Sequence, residues 1–145
     1  MRNSGKLVSM AVVLATLAAP MAVNAANPAT VACSVAVDYT LNGVVLEPYR
    51  KAFNLQLGVG FSDDFSTPTR MKTFTATVAR EAGHLVVAID YFNDVGVFNS
   101  VGFNTRLALH DGKGIETTAG SHTFSTSLGV TGNHTTNHTL TCRRL

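Results

Sequence analysis

The sequence predicts an all-β protein, an antiparallel β-sandwich of about seven to nine strands. Short segments in which apolar and polar residues alternate are separated by turn-forming residues, and no helical period occurs beyond residue 25. The two cysteines, Cys33 and Cys142, lie near the two ends of the predicted domain. We expect a disulfide between them that joins the terminal strands.

The first 25 residues are predicted to be a cleaved secretory signal peptide. Arg2 and Lys6 form a basic start, residues 7–19 are an almost unbroken apolar run, and Val23 and Ala25 are small residues before the predicted cleavage point. The apolar run is too short to span a bilayer, so no membrane span is expected in the mature chain. We expect a single periplasmic or secreted domain, residues 26–145, in a compartment that favours disulfides.

Charge argues against nucleic acid as a partner. The whole chain has 11 Lys and Arg against 9 Asp and Glu, and removing Arg2 and Lys6 makes the mature chain formally neutral. The remaining charges are scattered, without the basic stripe that binds phosphates.

The first predicted strand is Val31 to Leu41, in which six apolar side chains alternate with smaller or polar ones. Asn42-Gly43 follows as a two-residue hairpin turn. The return strand begins at Val44, and Pro48 marks it as an edge strand or as a strand boundary.

Alternation continues from Tyr49 to Phe61, which is longer than a typical strand. We therefore expect a bend or bulge near Gly58 or Gly60, where the chain passes from one sheet to the other. Ser62 to Thr69 is then a polar connection rich in turn formers.

The remaining predicted strands follow the same pattern. They are Met71 to Arg80, Leu85 to Phe92, Val97 to Val101, Phe103 to Leu109, Ser121 to Ser127 and Thr135 to Cys142. This arrangement is typical of immunoglobulin-like or jelly-roll-like sandwiches. The terminal strands are expected to be neighbours or to face each other across the core, because a disulfide requires Cα atoms about 4.4 to 6.8 Å apart.

Histidines are the first candidates for a site. His134 and His138 are four residues apart in a Thr- and Asn-rich run. In a strand four residues span about 13 Å, so one metal ion would need a further ligand such as His122 or His110. We predict that these side chains face solvent, with a metal site of His122, His134 and His138 as the alternative.

Asp63 and Asp64 are candidate binding residues in the first polar loop, and Asn133 in the last one. Adjacent carboxylates on an extended chain point apart, so they do not form an acid–base pair. Turn formation explains them without a function.

These observations favour a non-enzymatic module without a cofactor. The sequence has no Gly-x-Ser-x-Gly elbow or other catalytic signature. The format of a signal peptide, a small β domain and one disulfide is shared by periplasmic inhibitors, immunity proteins and pilus subunits. We expect an inhibitor- or immunity-like module that binds a protein partner through the loops Ser62 to Thr69 and Leu128 to Asn137. A surface-fibre subunit or a small histidine-based metal-binding protein is the alternative, and the oligomeric state stays open.

Overall fold

The computed structural model describes residues 29–96, 98–112 and 114–145. The predicted signal peptide lies outside the described residues. Eight strands are present: β1 (Thr30–Leu41), β2 (Val44–Gln56), β3 (Phe61–Asp64), β4 (Lys72–Glu81), β5 (His84–Gly96), β6 (Asn99–Leu109), β7 (Ile115–Thr126) and β8 (Gly132–Arg144). They form two four-stranded antiparallel sheets, in the orders β2-β1-β8-β7 and β3-β4-β5-β6, which confirms the predicted sandwich. Nowhere in the described ranges is there a helix of the length and apolar character that crossing a membrane requires.

The core lies between the two sheets and contains the alternate residues of each strand. In β1 the residues Val31, Val35 and Val37 are at most 3% exposed, and their neighbours along the strand are more exposed. An aromatic cluster fills the space between the sheets on the β2 side, formed by Tyr49, Phe53, Phe61, Phe65, Phe74 and Tyr91. The strict period of two in the sequence is therefore the inside–outside alternation of the two sheets.

The predicted disulfide joins two neighbouring central strands. Cys33 and Cys142 are directly opposite each other in the β1–β8 ladder, with Cα atoms 4.1 Å apart and a sulfur–sulfur bond between them. This spacing is close to that of the narrow pairs in an antiparallel ladder. The terminal strands are thus neighbours within one sheet.

The chain passes from one sheet to the other near Gly58 and Gly60, as predicted. Strand β2 ends at Gln56, a tight turn follows in which the Val59 amide donates to the Gln56 carbonyl at 3.0 Å, and β3 begins in the other sheet. Register shifts lie elsewhere, between Tyr39 and Thr40 in the β1–β2 pairing and between Asp94 and Gly96 in the β5–β6 pairing. Strand β2 is an outer strand, so Pro48 lies on an edge as predicted.

Several strand assignments need correction, among them β5, which continues past its predicted end at Phe92 to Gly96. The two segments predicted at Val97 to Val101 and at Phe103 to Leu109 are one strand, β6, because Gly102 continues the ladder opposite Phe92. Strand β7 begins at Ile115 and β8 at Gly132, which is earlier than the sequence pattern placed them.

The candidate binding residues also lie on strands and not in loops. Asp63 and Asp64 belong to β3, and Asn133, His134 and His138 belong to β8. The prediction that His134 and His138 face solvent is wrong, because His134 is 0% and His138 5% exposed, whereas His122 is exposed. Strand β8 is a central strand whose inner face is covered by the other sheet, so even polar residues on that face are buried.

Candidate functional site

Asp63 and Asp64 point in opposite directions from β3, as the extended chain requires. The Asp63 carboxylate accepts a hydrogen bond from the Tyr49 hydroxyl at 2.9 Å and pairs with the Lys51 ammonium at 3.0 Å. The bond from Lys51, followed by the smaller effect of the bond from Tyr49, holds the pKa of Asp63 below its usual value. Burial and the bond to Asp63 raise the pKa of the Tyr49 phenol. Asp64 accepts the Ser66 amide at 3.0 Å, so both carboxylates have structural roles.

His134 has both ring nitrogens engaged. Its Nε2 lies 2.8 Å from the Val130 carbonyl and its Nδ1 lies 2.8 Å from the Tyr39 hydroxyl. A carbonyl only accepts, so Nε2 carries a proton and donates it. The ring also stacks on Phe124 at a centroid distance of 4.5 Å. His134 therefore fastens the loop that follows β7 to the core.

His138 is buried without a polar partner among the described residues. Its ring stacks on Phe103 at 4.1 Å and is nearly parallel to the ring of His122, 6.1 Å away. Neither of its ring nitrogens has a hydrogen-bond partner in the described ranges. Burial, and then the proximity of His122, lower the pKa of His138. Gly120 lies opposite His138 in the ladder, and a Cβ atom there would be 2.5 Å from the ring.

These contacts do not bring the three candidate metal ligands together. His134 uses its nitrogens within the protein, whereas His122 and His138 meet face to face in an aromatic stack. Within the residues that the structure describes, no three His, Cys, Asp or Glu side chains are placed to hold a metal ion.

Turns and loops from both sheets meet at one end of the sandwich, which we call the loop end. It comprises the Asn42-Gly43 turn, the Arg70-Met71 segment, the turn at Phe98 and the Ser127–Thr131 loop. The Asn133 amide bonds to the Asn42 side chain at 2.9 Å, so the candidate residue Asn133 ties the first turn to the last loop.

Two further hydrogen bonds fix the loop end: the first connects the two sheets, and the second links β5 to the segment before β4 within one sheet. The buried Asn99 side chain donates to the Leu128 carbonyl at 3.1 Å, which joins the Phe98 turn to the Ser127–Thr131 loop. The Asp94 amide donates to the Met71 carbonyl at 2.9 Å. The loop end is therefore a connected surface assembled from four separate parts of the chain.

Large apolar side chains are exposed on this surface. Phe98 is 88% and Leu128 73% exposed, and they sit on turns that hydrogen-bond to each other through Asn99. The further exposed apolar residues at this end are Val44, Val45, Leu46 and Met71. An open depression of about 570 Å³ lies beside Phe98 and is lined in part by Arg70, Phe92 and Asp94.

The backbone that carries Phe98 is unusual and fixed. Phe98 has a φ of 64°, which a bulky residue adopts only at a conformational cost. Gly96, on the other side of the turn, approaches so closely that a Cβ would lie 2.7 Å from the Val130 side chain. Asn99 is 8% exposed and bonds to the loop opposite. Packing on both sides thus holds an exposed aromatic ring in a strained turn.

A network of ion pairs and hydrogen bonds lies beneath the loop end. Glu47 on β2 pairs with Arg70 at 2.6 Å and with Lys72 at 2.8 Å, and accepts a bond from the buried Asn93 at 2.9 Å. Burial raises the pKa of Glu47, but its bonds to Lys72, Asn93 and Arg70 outweigh burial, and the pKa is lowered. Because Glu47 on β2 and Lys72 on β4 belong to different sheets, this network fixes the segment that presents Met71.

Sequence reasoning identified part of this surface. Leu128 begins one of the two predicted binding loops, but Phe98 was assigned to a strand interior. Neither its positive φ nor its exposure can be inferred from Val-Phe-Asn, which has the composition of a strand. The sequence signal nearest to it is Gly96, two residues before Phe98, where β5 ends.

The sequence matches no protein-family model, and comparison with curated proteins finds no significant relative.

Proposed function

We propose that this protein is an exported, non-enzymatic binding module whose loop end inserts Phe98 into an apolar pocket of a protein partner. The observation that carries this proposal is that Phe98 is 88% exposed while its backbone is strained and held by packing. Strained residues persist where the surrounding structure determines them, and they cluster at functional sites.

Burial of the exposed Phe98 ring in a pocket of a partner is energetically favourable. An aromatic side chain that enters a pocket buries about 150 to 250 Å², which at about 25 cal/mol per Å² corresponds to several kcal/mol before the costs of association. Because Gly96 and Asn99 already fix the turn, little conformational entropy remains to be lost on binding. Leu128 and Met71 extend the apolar area around the ring.

Two of the candidate side chains, Asp63 and His134, are committed to the fold. Asp63 is bound to Tyr49 and Lys51, and His134 is bound to Tyr39 and the Val130 carbonyl. This use favours a binding module over a hydrolase or a metal-dependent enzyme.

Export is part of the same proposal. The Cys33–Cys142 disulfide fits an oxidising compartment, in agreement with the predicted signal peptide. A periplasmic or secreted protein with an inhibitor- or immunity-like format is the role that we infer.

The test is capture of a partner by matched variants. The mature protein, Phe98→Asn and Val59→Asn are immobilised and exposed to native envelope extract. Asn tolerates a positive φ, so Phe98→Asn removes the ring without forcing the turn to change. Val59 is 59% exposed at the opposite end of the sandwich and serves as the control.

We expect one protein to be retained by the wild type and Val59→Asn and lost by Phe98→Asn, with an affinity at least about 30-fold weaker, as for an interface hot spot. Thermal unfolding establishes that the variants are folded. Retention by all three proteins, or capture of no protein, would contradict the proposal. Phe98-dependent binding to phospholipid vesicles would replace the protein partner with a membrane.

A further inference from the structure

Strand β7 is an edge strand with an open side. It spans Ile115–Thr126, 12 residues, and within the part of the chain that the structure describes it pairs only with β8. An edge strand presents backbone N–H and C=O groups that another strand can pair with. Its pairing with β8 runs without a register shift, so the edge is regular along its whole length.

The other edges carry the features by which proteins prevent such pairing. Strand β2 contains Pro48, Arg50 and Lys51, and its ladder has a register shift. Strand β3 is only 4 residues long, and β6 has Arg106 within it. Short strands, prolines, bulges and basic side chains all discourage edge-to-edge pairing. Strand β7 contains no proline, Lys or Arg, and Glu116 near its start is its one acidic residue.

We propose that β7 pairs antiparallel with β7 of a second copy of this chain, about a two-fold axis at Ala119. In an antiparallel pair, residues that lie opposite each other have their side chains on the same face of the sheet. A two-fold axis between two copies of β7 therefore lies where one residue is opposite the same residue of the other copy. With Ala119 at the axis, Glu116 of each copy lies opposite His122 of the other. This is the two-fold register that places the acidic residue of the strand opposite its histidine.

The outer face of β7 is suited to the same pairing. In β7–β8 the hydroxyls of Thr117 and Thr141 lie 3.1 Å apart, and those of Thr123 and Thr135 lie 3.0 Å apart. Across the proposed axis Thr117 lies opposite Ser121, which allows a hydroxyl pair of the same kind. Ala119 at the axis is exposed and small, so the two strands can approach closely.

The dimer would join the β2-β1-β8-β7 sheet of one copy to the same sheet of the other copy, forming one continuous sheet. Because the pairing is antiparallel, the two loop ends would face in opposite directions. If Phe98 binds a partner as proposed above, one dimer holds two partner molecules on opposite sides.

The test combines a cross-link with a disrupting substitution. Ala119→Cys places two thiols at the axis, where opposite Cβ atoms are about 4.5 to 5.5 Å apart. Ser125→Cys is the matched control on the same face of β7, because its two copies would be separated by about 12 residues of strand, about 40 Å. Ala119→Lys brings two ammonium groups together at the axis, and Thr139→Lys on β8 is its control.

We expect the wild type and Thr139→Lys to sediment as dimers at micromolar concentration and Ala119→Lys to dissociate at least tenfold more readily. Mild oxidation should link Ala119→Cys into a covalent dimer and leave Ser125→Cys monomeric after denaturation, with the linked peptides identified by mass spectrometry. A monomeric wild type, or a dimer insensitive to Ala119→Lys, would overturn the proposal. Loss of dimerisation without loss of Phe98-dependent capture would separate this inference from the proposed function.

Discussion

Reduction of the Cys33–Cys142 bond tests how much the disulfide contributes to stability. The bridge closes a loop between residues 109 positions apart in the sequence. In the chain-entropy model a loop of about 100 residues restricts the unfolded chain by about 4.7 kcal/mol at 25 °C. The domain stability of small proteins is about 5 to 15 kcal/mol, so the bond supplies a large part of it. Residual structure in the unfolded chain makes this value an upper one.

The assay is equilibrium urea unfolding of residues 26–145 with and without a thiol reductant. We expect the free energy of unfolding to fall by up to about 4.7 kcal/mol and the m-value to rise, because the reduced unfolded chain exposes more surface. Cys33→Ala/Cys142→Ala is the control and should not respond to the reductant. A loss below about 1 kcal/mol in the wild type would refute the argument from unfolded-chain entropy.

The contact between β7 and β8 gives two further predictions. In the wild type, burial lowers the pKa of His138, so below about pH 6.5 the unfolded chain binds more protons than the folded one and the free energy of unfolding falls as the pH falls. His138→Phe should lose this dependence, so that its stability at about pH 5.5 approaches that at about pH 7.5. Urea titrations at both pH values test this, and equal pH dependence in variant and wild type would contradict it. Gly120→Ala should lower the free energy of unfolding by about 1 to 3 kcal/mol, because its Cβ would lie 2.5 Å from the His138 ring. Ser121→Ala, its control, should change the free energy of unfolding by at most about 0.5 kcal/mol. Chemical denaturation measures both, and a stabilised Gly120→Ala would show that the ring does not cover this position.

The candidate site was only partly predictable. The sequence indicated the Leu128 loop, because Gly and Asn residues there interrupt the alternation. It did not indicate that Phe98 is exposed, since a period-two pattern states which residues share a face and not where a ladder ends. It also assigned His134 and His138 to solvent on the basis of polarity. Polarity does not exclude burial when a partner such as Tyr39 or an aromatic neighbour such as Phe103 is available.

What the sequence by itself determined are the local properties of this chain. The alternation in β1 and the Asn42-Gly43 turn follow from backbone geometry and side-chain period, which act between near neighbours. The cysteine pairing followed as well, because two cysteines permit one intramolecular bridge.

Only the tertiary structure decided which strands are edges, which polar residues are buried and which loops meet. The open side of β7, the stack of His138 on Phe103 and the bond from Asn99 to the Leu128 carbonyl all join parts of the chain that are far apart in sequence. The physical reason is that strand order and sheet packing depend on contacts between distant segments, which a local pattern does not specify.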